Sequence, residues 1–144
     1  MSDALAGAAR LYLDSNALIY FVERDDAIQR KVGDAIAGAI NSGRPVVVSE
    51  IGVAECLYGA YKMQSAELEA RYLEIFDDIA LFEIVPVDGE RLRAAARLGA
   101  QKGLKLVDAA HFLAAIETEC DVFLTGDNRI RSSHGVKVIA LRSL

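Results

Sequence analysis

Apolar and polar positions follow two rhythms along this chain, and the changes between them mark its elements. Leu11, Tyr12 and Leu13 form a short apolar run that stops at Asp14, which predicts a strand near 11–14. Ser15 and Asn16 are turn and cap residues, and residues 17–22 then run apolar to a charged break at 23–26. From Ala27 onward Ile28, Val32, Ala35, Ile36, Ala39 and Ile40 recur at helical spacing until Asn41-Ser42-Gly43 and Pro45 stop them. Val46, Val47 and Val48 are a β-branched run, read as a buried strand near 46–48.

Ser49 caps a predicted helix over 50–63, with an apolar stripe of Ile51, Ala54, Leu57, Tyr58 and Tyr61. A second amphipathic stretch over 68–79 aligns Leu68, Tyr72, Ile75, Phe76 and Ile79. Residues 82–86 read as a strand that ends at Pro86 or lies at an edge. Asp88 caps a helix over 89–102, with Gly103 as its C′ residue. The Ala-rich stretch 106–119 is apolar on nearly every side, which predicts a buried helix. Strands near 122–125 and 136–140 complete the pattern. Strands alternating with helices predict an α/β fold, a three-layer α/β/α sandwich on a mainly parallel sheet, in a single domain over 1–144.

With 144 residues, 53% of them hydrophobic, the chain has ample material for a core, which excludes disorder. Its net charge of −5 does not advertise a nucleic-acid binder. No apolar run reaches the roughly 18 residues of a membrane span, so no membrane partner is expected. The opening MSDALAGAARLYL carries an acid and no basic n-region, unlike a secretory signal. Cys56 and Cys120 have no metal-ligand spacing and read as small hydrophobes in a reducing cytoplasm.

Four acids change this picture. Asp14 and Asp127 each follow a strand, Glu55 lies on the helix after 46–48, and Asp108 opens the nearly apolar helix. A parallel sheet brings such positions to one edge. Each has an ordinary explanation by itself: Asp14 as an N-cap, Asp108 as a first-turn acid, Asp127 as part of a Gly-Asp-Asn turn. Glu50 and Glu55 are five positions apart, roughly 140° around a helix, so only one of them faces a common pocket; Glu55, deeper in the helix, is the candidate. Gathered carboxylates repel unless a cation offsets them. An all-oxygen ligand set without a Cys/His cluster selects Mg²⁺ or Mn²⁺, and phosphodiester hydrolysis is the natural chemistry of such a site.

The order strand–Asp14-Ser15-Asn16, then Ser49 to Glu55, then Leu106-Val107-Asp108-Ala109-Ala110-His111, then Leu124-Thr125-Gly126-Asp127 resembles the PIN-domain family, especially the toxin-type (VapC-like) ribonucleases of toxin–antitoxin pairs. The resemblance spans residues 11–141. It implies a five-stranded sheet in the order 3-2-1-4-5 and a Mg²⁺- or Mn²⁺-dependent endoribonuclease acting on RNA. Its acids fall on Asp14, Glu55, Asp108 and Asp127, and its polar helpers on Asn16 and Thr125. It also implies a homodimer and a cognate antitoxin protein. Asn128 takes a variable position and receives little weight.

Arg129, Arg131 and Lys105, with Lys102, are the cations nearest these motifs and the candidates for RNA phosphate contacts. His111 reads as a helix-packing residue, because no second His or Cys stands near it; orienting a carboxylate or contacting RNA are its alternative roles. His134, in a Ser-Ser-His-Gly loop, reads as solvated. Two other readings remain: a non-catalytic RNA- or protein-binding module of the same fold, and a metal-dependent phosphatase. A haloacid-dehalogenase-like site wants an Asp where Asn16 stands. A receiver domain wants an acceptor Asp after the central strand, where Ser49 stands.

Overall fold

Each short apolar run becomes a strand: β1 (Leu11–Leu13), β2 (Val46–Ser49), β3 (Phe82–Val85), β4 (Val122–Thr125) and β5 (Lys137–Ala140). The computed structural model describes residues 2–126 and 129–144. Its helices are α1 (Ser2–Ala6), α2 (Ser15–Glu23), α3 (Ala27–Asn41), α4 (Glu50–Lys62), α5 (Ala66–Asp77), α6 (Gly89–Lys102) and α7 (Leu106–Glu117). A short 3₁₀ turn, Leu141–Ser143, follows β5. The expected strands and the later helices are all present; α1 is an addition that no periodicity announced.

The strands form one sheet in the order β3-β2-β1-β4-β5, and every neighbouring pair is parallel. β3 stands at an edge and stops at Val85, directly before Pro86, whose missing N–H could not extend a ladder. Alternation along each strand sends side chains to opposite faces. Leu11, Leu13, Val46, Val48, Val122 and Leu124 pack with α2, α3, α4 and α5. Tyr12, Val47 and Phe123, which are aligned across the sheet, pack on the other face with Leu98 of α6 and Phe112 of α7. The central strands β1, β2 and β4 are buried on both faces, which is why they read as apolar runs, while the edge strands β3 and β5 expose Glu83 and Lys137.

Two helix phases differ from the expectation. In α4 the buried residues are Gly52, Cys56 and Ala60, while Tyr58 and Tyr61 are 67% and 55% exposed. Their aromatic rings suggested the core face, but the packed face is the small one: a Cβ on Gly52 would lie 3.5 Å from His111 of α7 and Leu18 of α2. In α5 the stripe Leu68, Tyr72 and Phe76 is buried as expected, yet the helix ends at Asp77 and leaves Ile79 in the following turn, exposed. α7 is buried through Ala109–Ala115 only in part of its length: Leu106 and Val107, in its first turn, are exposed. Gly103 ends α6 in the left-handed conformation, φ 71°, as a C′ glycine does.

Candidate active site

From β1 the chain continues outward to β2 and β3, then crosses back to place β4 on the other side of β1. The order in which strands are added therefore reverses between β1 and β4, and a crevice opens at the C-terminal ends of those parallel strands. Asp14 sits there. Its backbone N–H extends the ladder to the Leu124 carbonyl at 3.1 Å. Its side chain caps α2, accepting from the Ala17 N–H at 2.9 Å, and also accepts from the Thr125 hydroxyl at 2.5 Å. Asp14 is thus an N-cap, as one reading of the sequence had it, and also a buried carboxylate joined to β4. Burial raises its pKa above the ordinary aspartate range; Thr125 and the Ala17 and Gly126 N–H groups offset this only partly. A carboxylate this short of compensation is one that a nearby cation would stabilise.

Glu55 lies across from it on α4, half-buried, while Glu50 in the first turn is exposed, as the helical phase predicted. The Glu55 carboxylate accepts from the Ser15 hydroxyl and lies 3.0 Å from His111 Nε2. The His111 hydrogen bond, and then Ser15, hold its pKa below the ordinary glutamate range. Two carboxyl groups at one edge are thereby pushed in opposite directions, Asp14 up and Glu55 down.

His111 itself is buried and bonded on both ring nitrogens: Nδ1 lies 2.7 Å from the Tyr12 hydroxyl and Nε2 lies 2.9 Å from Ser15 Oγ. The sequence reading of His111 as a packing residue is therefore replaced by its alternative, orientation of a carboxylate. In the sequence Tyr12 reads only as a strand residue, and Ser15 and Ser49 only as turn, cap and motif positions; Ser49 does cap α4. Tyr12 was legible in principle, because a tyrosine centred in a buried strand needs a partner for its hydroxyl.

Asp108 stands half-buried in the first turn of α7, three residues before His111 and so on the same side of that helix. Asn16 is exposed at the start of α2, beside Gly126. Asp127 and Asn128 lie outside the described residues. Among the described residues no three His, Cys, Asp or Glu side chains are grouped as a ready-made metal cage. Mg²⁺ does not need one, since it keeps several waters and binds through one or two carboxylates together with phosphate oxygens. The all-oxygen chemistry of Asp14, Glu55 and Asp108 fits such an ion.

Of the candidate cations, Lys105, Arg129 and Arg131 are exposed. Lys102 is held within the protein: Nζ donates to Ser133 Oγ at 2.5 Å and to the Arg131 carbonyl at 3.2 Å, and sits 4.9 Å from the centre of the Phe112 ring. His134 is exposed, as expected. A cavity of about 610 Å³ begins at Asn16 and Gly126 and continues past Tyr20, Arg24, Leu141 and Arg142. Among the described residues no helix is long and apolar enough to cross a membrane.

The family model for the PIN domain matches residues 11–133, which takes in every element from β1 through β4. The chain belongs to the PIN domain family. Solved structures share this PIN fold at low identity. VapBC2 from Rickettsia felis, bound to a DNA fragment from their promoter, matches with a TM-score of 0.69 and 18% identity, covering 90% of this chain and 97% of the other. FitAcB from Neisseria gonorrhoeae matches with a TM-score of 0.65 and 20% identity, covering 93% and 99%. DNA-bound VapBC from Salmonella typhimurium matches with a TM-score of 0.61 and 18% identity, covering 92% and 98%. None of the curated proteins compared with the chain matches it as a relative.

Proposed function

We propose that residues 1–144 form one nuclease domain, a Mg²⁺- or Mn²⁺-dependent endoribonuclease that is the toxin of a toxin–antitoxin pair, acting in the cytoplasm as a homodimer with a cognate antitoxin as partner. The observation that carries the reading is Asp14: a carboxylate that is 5% exposed, placed at the reversal point of the sheet, with its charge incompletely compensated. Membership of the PIN family and likeness to VapBC and FitAcB structures support the choice of nuclease and of antitoxin.

Asp14, Glu55, Asp108 and Asp127 would hold the ion. When bound, the cation supplies positive charge against a phosphate oxygen and makes water a stronger nucleophile at neutral pH. The chain's own groups do the remaining work. Thr125 and the start of α2 fix Asp14. Ser15 and His111 keep Glu55 ionised, so that it accepts rather than donates a hydrogen bond. Asn16 orients the edge beside Gly126, and Arg129, Arg131 and Lys105 supply positive charge for the RNA backbone.

Cleavage of a single-stranded RNA with added Mn²⁺, repeated in excess EDTA and with Asp14→Asn, tests the proposal. Metal-dependent cleavage lost in the variant is expected; cleavage that survives EDTA would refute the metal mechanism. The other reading is a non-catalytic RNA- or protein-binding module of the same fold. RNA binding without cleavage, unaffected by Asp14→Asn, would establish it. Phosphate released from monoesters, with RNA left intact, would point to a phosphatase.

A further inference from the structure

The reading of Glu55 as a metal-holding acid leaves unexplained why two buried polar side chains, Ser15 and His111, bond it and a third, Tyr12, bonds His111 from behind. Tyr12 of β1 is fully buried, Ser15 of α2 is 6% exposed and His111 of α7 is 2% exposed. Burying such groups is costly unless each is hydrogen-bonded, and here each is. The Tyr12 ring is locked, stacked on Phe123 with centroids 5.1 Å apart and planes 6° from parallel, and it meets the His111 ring edge-on at 5.8 Å.

The donors in this cluster can be counted. A phenol at neutral pH keeps its proton, so Tyr12 has one to donate. The Glu55 carboxylate is an acceptor only. His111 Nε2 is 3.0 Å from Glu55 Oε1, and the Ser15 hydroxyl has one proton, which it gives to the same carboxylate. An Nε2 without hydrogen would put a lone pair against that oxygen. Nε2 therefore carries a proton, shared between Glu55 and Ser15 Oγ. Nδ1 therefore accepts from the Tyr12 hydroxyl.

We propose that His111 is the positioning residue of Glu55, that Tyr12 fixes the tautomer in which His111 can do this, and that Ser15 shares the load. Resting on the metal reading of Glu55, the proposal assigns to this relay the aim of the carboxylate toward the ion. Second partners of this kind are worth about 10–100-fold in metal affinity when lost. Tyr12 and His111 touch neither substrate nor ion; they act through Glu55.

The test measures Mn²⁺ affinity by titration calorimetry, with melting temperature alongside, in the parent, His111→Leu, His111→Gln and Tyr12→Phe. A Gln amide retains a donor near the place of Nε2. His111→Leu should weaken Mn²⁺ binding about tenfold or more, and His111→Gln should recover most of that loss. Tyr12→Phe keeps the ring and its stacking, so it carries the test where His111→Leu does not fold, and its affinity should fall in the same direction. Affinities equal to the parent's in these variants, with only the melting temperature changed, would overturn the proposal. A long-range ¹H–¹⁵N spectrum separates this outcome from failure of the nuclease reading. The chain has only two histidines, so the His111 signals are identified by their absence in His111→Gln. A proton on Nε2, with signals that move in Glu55→Ala, supports the relay even if the parent binds no Mn²⁺ and the metal reading falls. A proton on Nδ1 alone, or signals unmoved by Glu55→Ala, overturns it.

Discussion

Gly126 lies so close to Asn16 that a Cβ built on Gly126 would come within 2.6 Å of the Asn16 Cβ. The contact joins the end of β4 to the first turn of α2, the same two segments that Thr125 and Asp14 join by hydrogen bond. The start of α2 and the chain leading into Asp127 are therefore one packed unit, and the unit requires a glycine.

Gly126→Ala should separate those segments. Overpacking against a Cβ, which cannot rotate away, is expected to cost about 1–3 kcal/mol. Urea unfolding measures the loss. RNA cleavage should fall further than stability alone explains, because Asp14 and Asn16 lose their register with Thr125 and Gly126. A variant as stable and active as the parent would mean that the contact is easily relieved.

Glu55 and Glu50 provide a paired comparison on one helix. Glu55 faces His111 and Ser15, and Glu50 is exposed. Glu55→Gln should remove most RNA cleavage, while Glu50→Gln should leave it nearly intact. Equal losses in the two would argue against Glu55 as part of the site.

Asp14 has opposite expected effects with and without metal. Its raised pKa means that the folded chain binds the proton more tightly than the unfolded chain does. Metal-free stability should therefore fall as the pH climbs from the ordinary aspartate range through the raised folded value. Asp14→Asn lacks that slope and, in EDTA at neutral pH, should be as stable as the parent or more so, by about 1 kcal/mol or less. Asn still caps α2. Excess Mg²⁺ should close or reverse the gap, since only the parent gains full binding energy. A metal-induced shift in melting temperature of the same size in both proteins would count against Asp14 as a ligand.

Lys102 should behave as a structural residue. Its ammonium is bonded to Ser133 and the Arg131 carbonyl, so Lys102→Met should destabilise the protein by about 1 kcal/mol. Lys105→Ala, at an exposed position without a side-chain capping bond, should leave stability unchanged and weaken RNA binding. Denaturation midpoints and RNA titrations at two salt concentrations distinguish these effects.

The strands and most helices were legible because their signals are local. A β-branched run such as Val46–Val48 can be buried only as a strand, and Ser49, Ser65, Asp26 and Asp88 cap their helices through backbone N–H groups two or three residues away. The helical angle between Glu50 and Glu55 was also local, and it separated the exposed acid from the one at the crevice. The strand order was implied by family resemblance, and periodicity alone would not have provided it.

Contacts between distant residues were decided by the tertiary structure alone. The buried face of α4 follows Gly52 and Cys56, not Tyr58 and Tyr61, because Gly52 packs against Leu18 of α2 and His111 of α7, and sequence periodicity cannot see what lies opposite. Lys102 looked like a phosphate ligand until the loop before β5 supplied its partners. His111 looked like packing because its partners are 99, 96 and 56 residues away in the chain. A one-dimensional pattern records which residues are polar; only the fold brings Tyr12, Ser15, Glu55 and His111 within hydrogen-bonding distance and so determines what their polarity does.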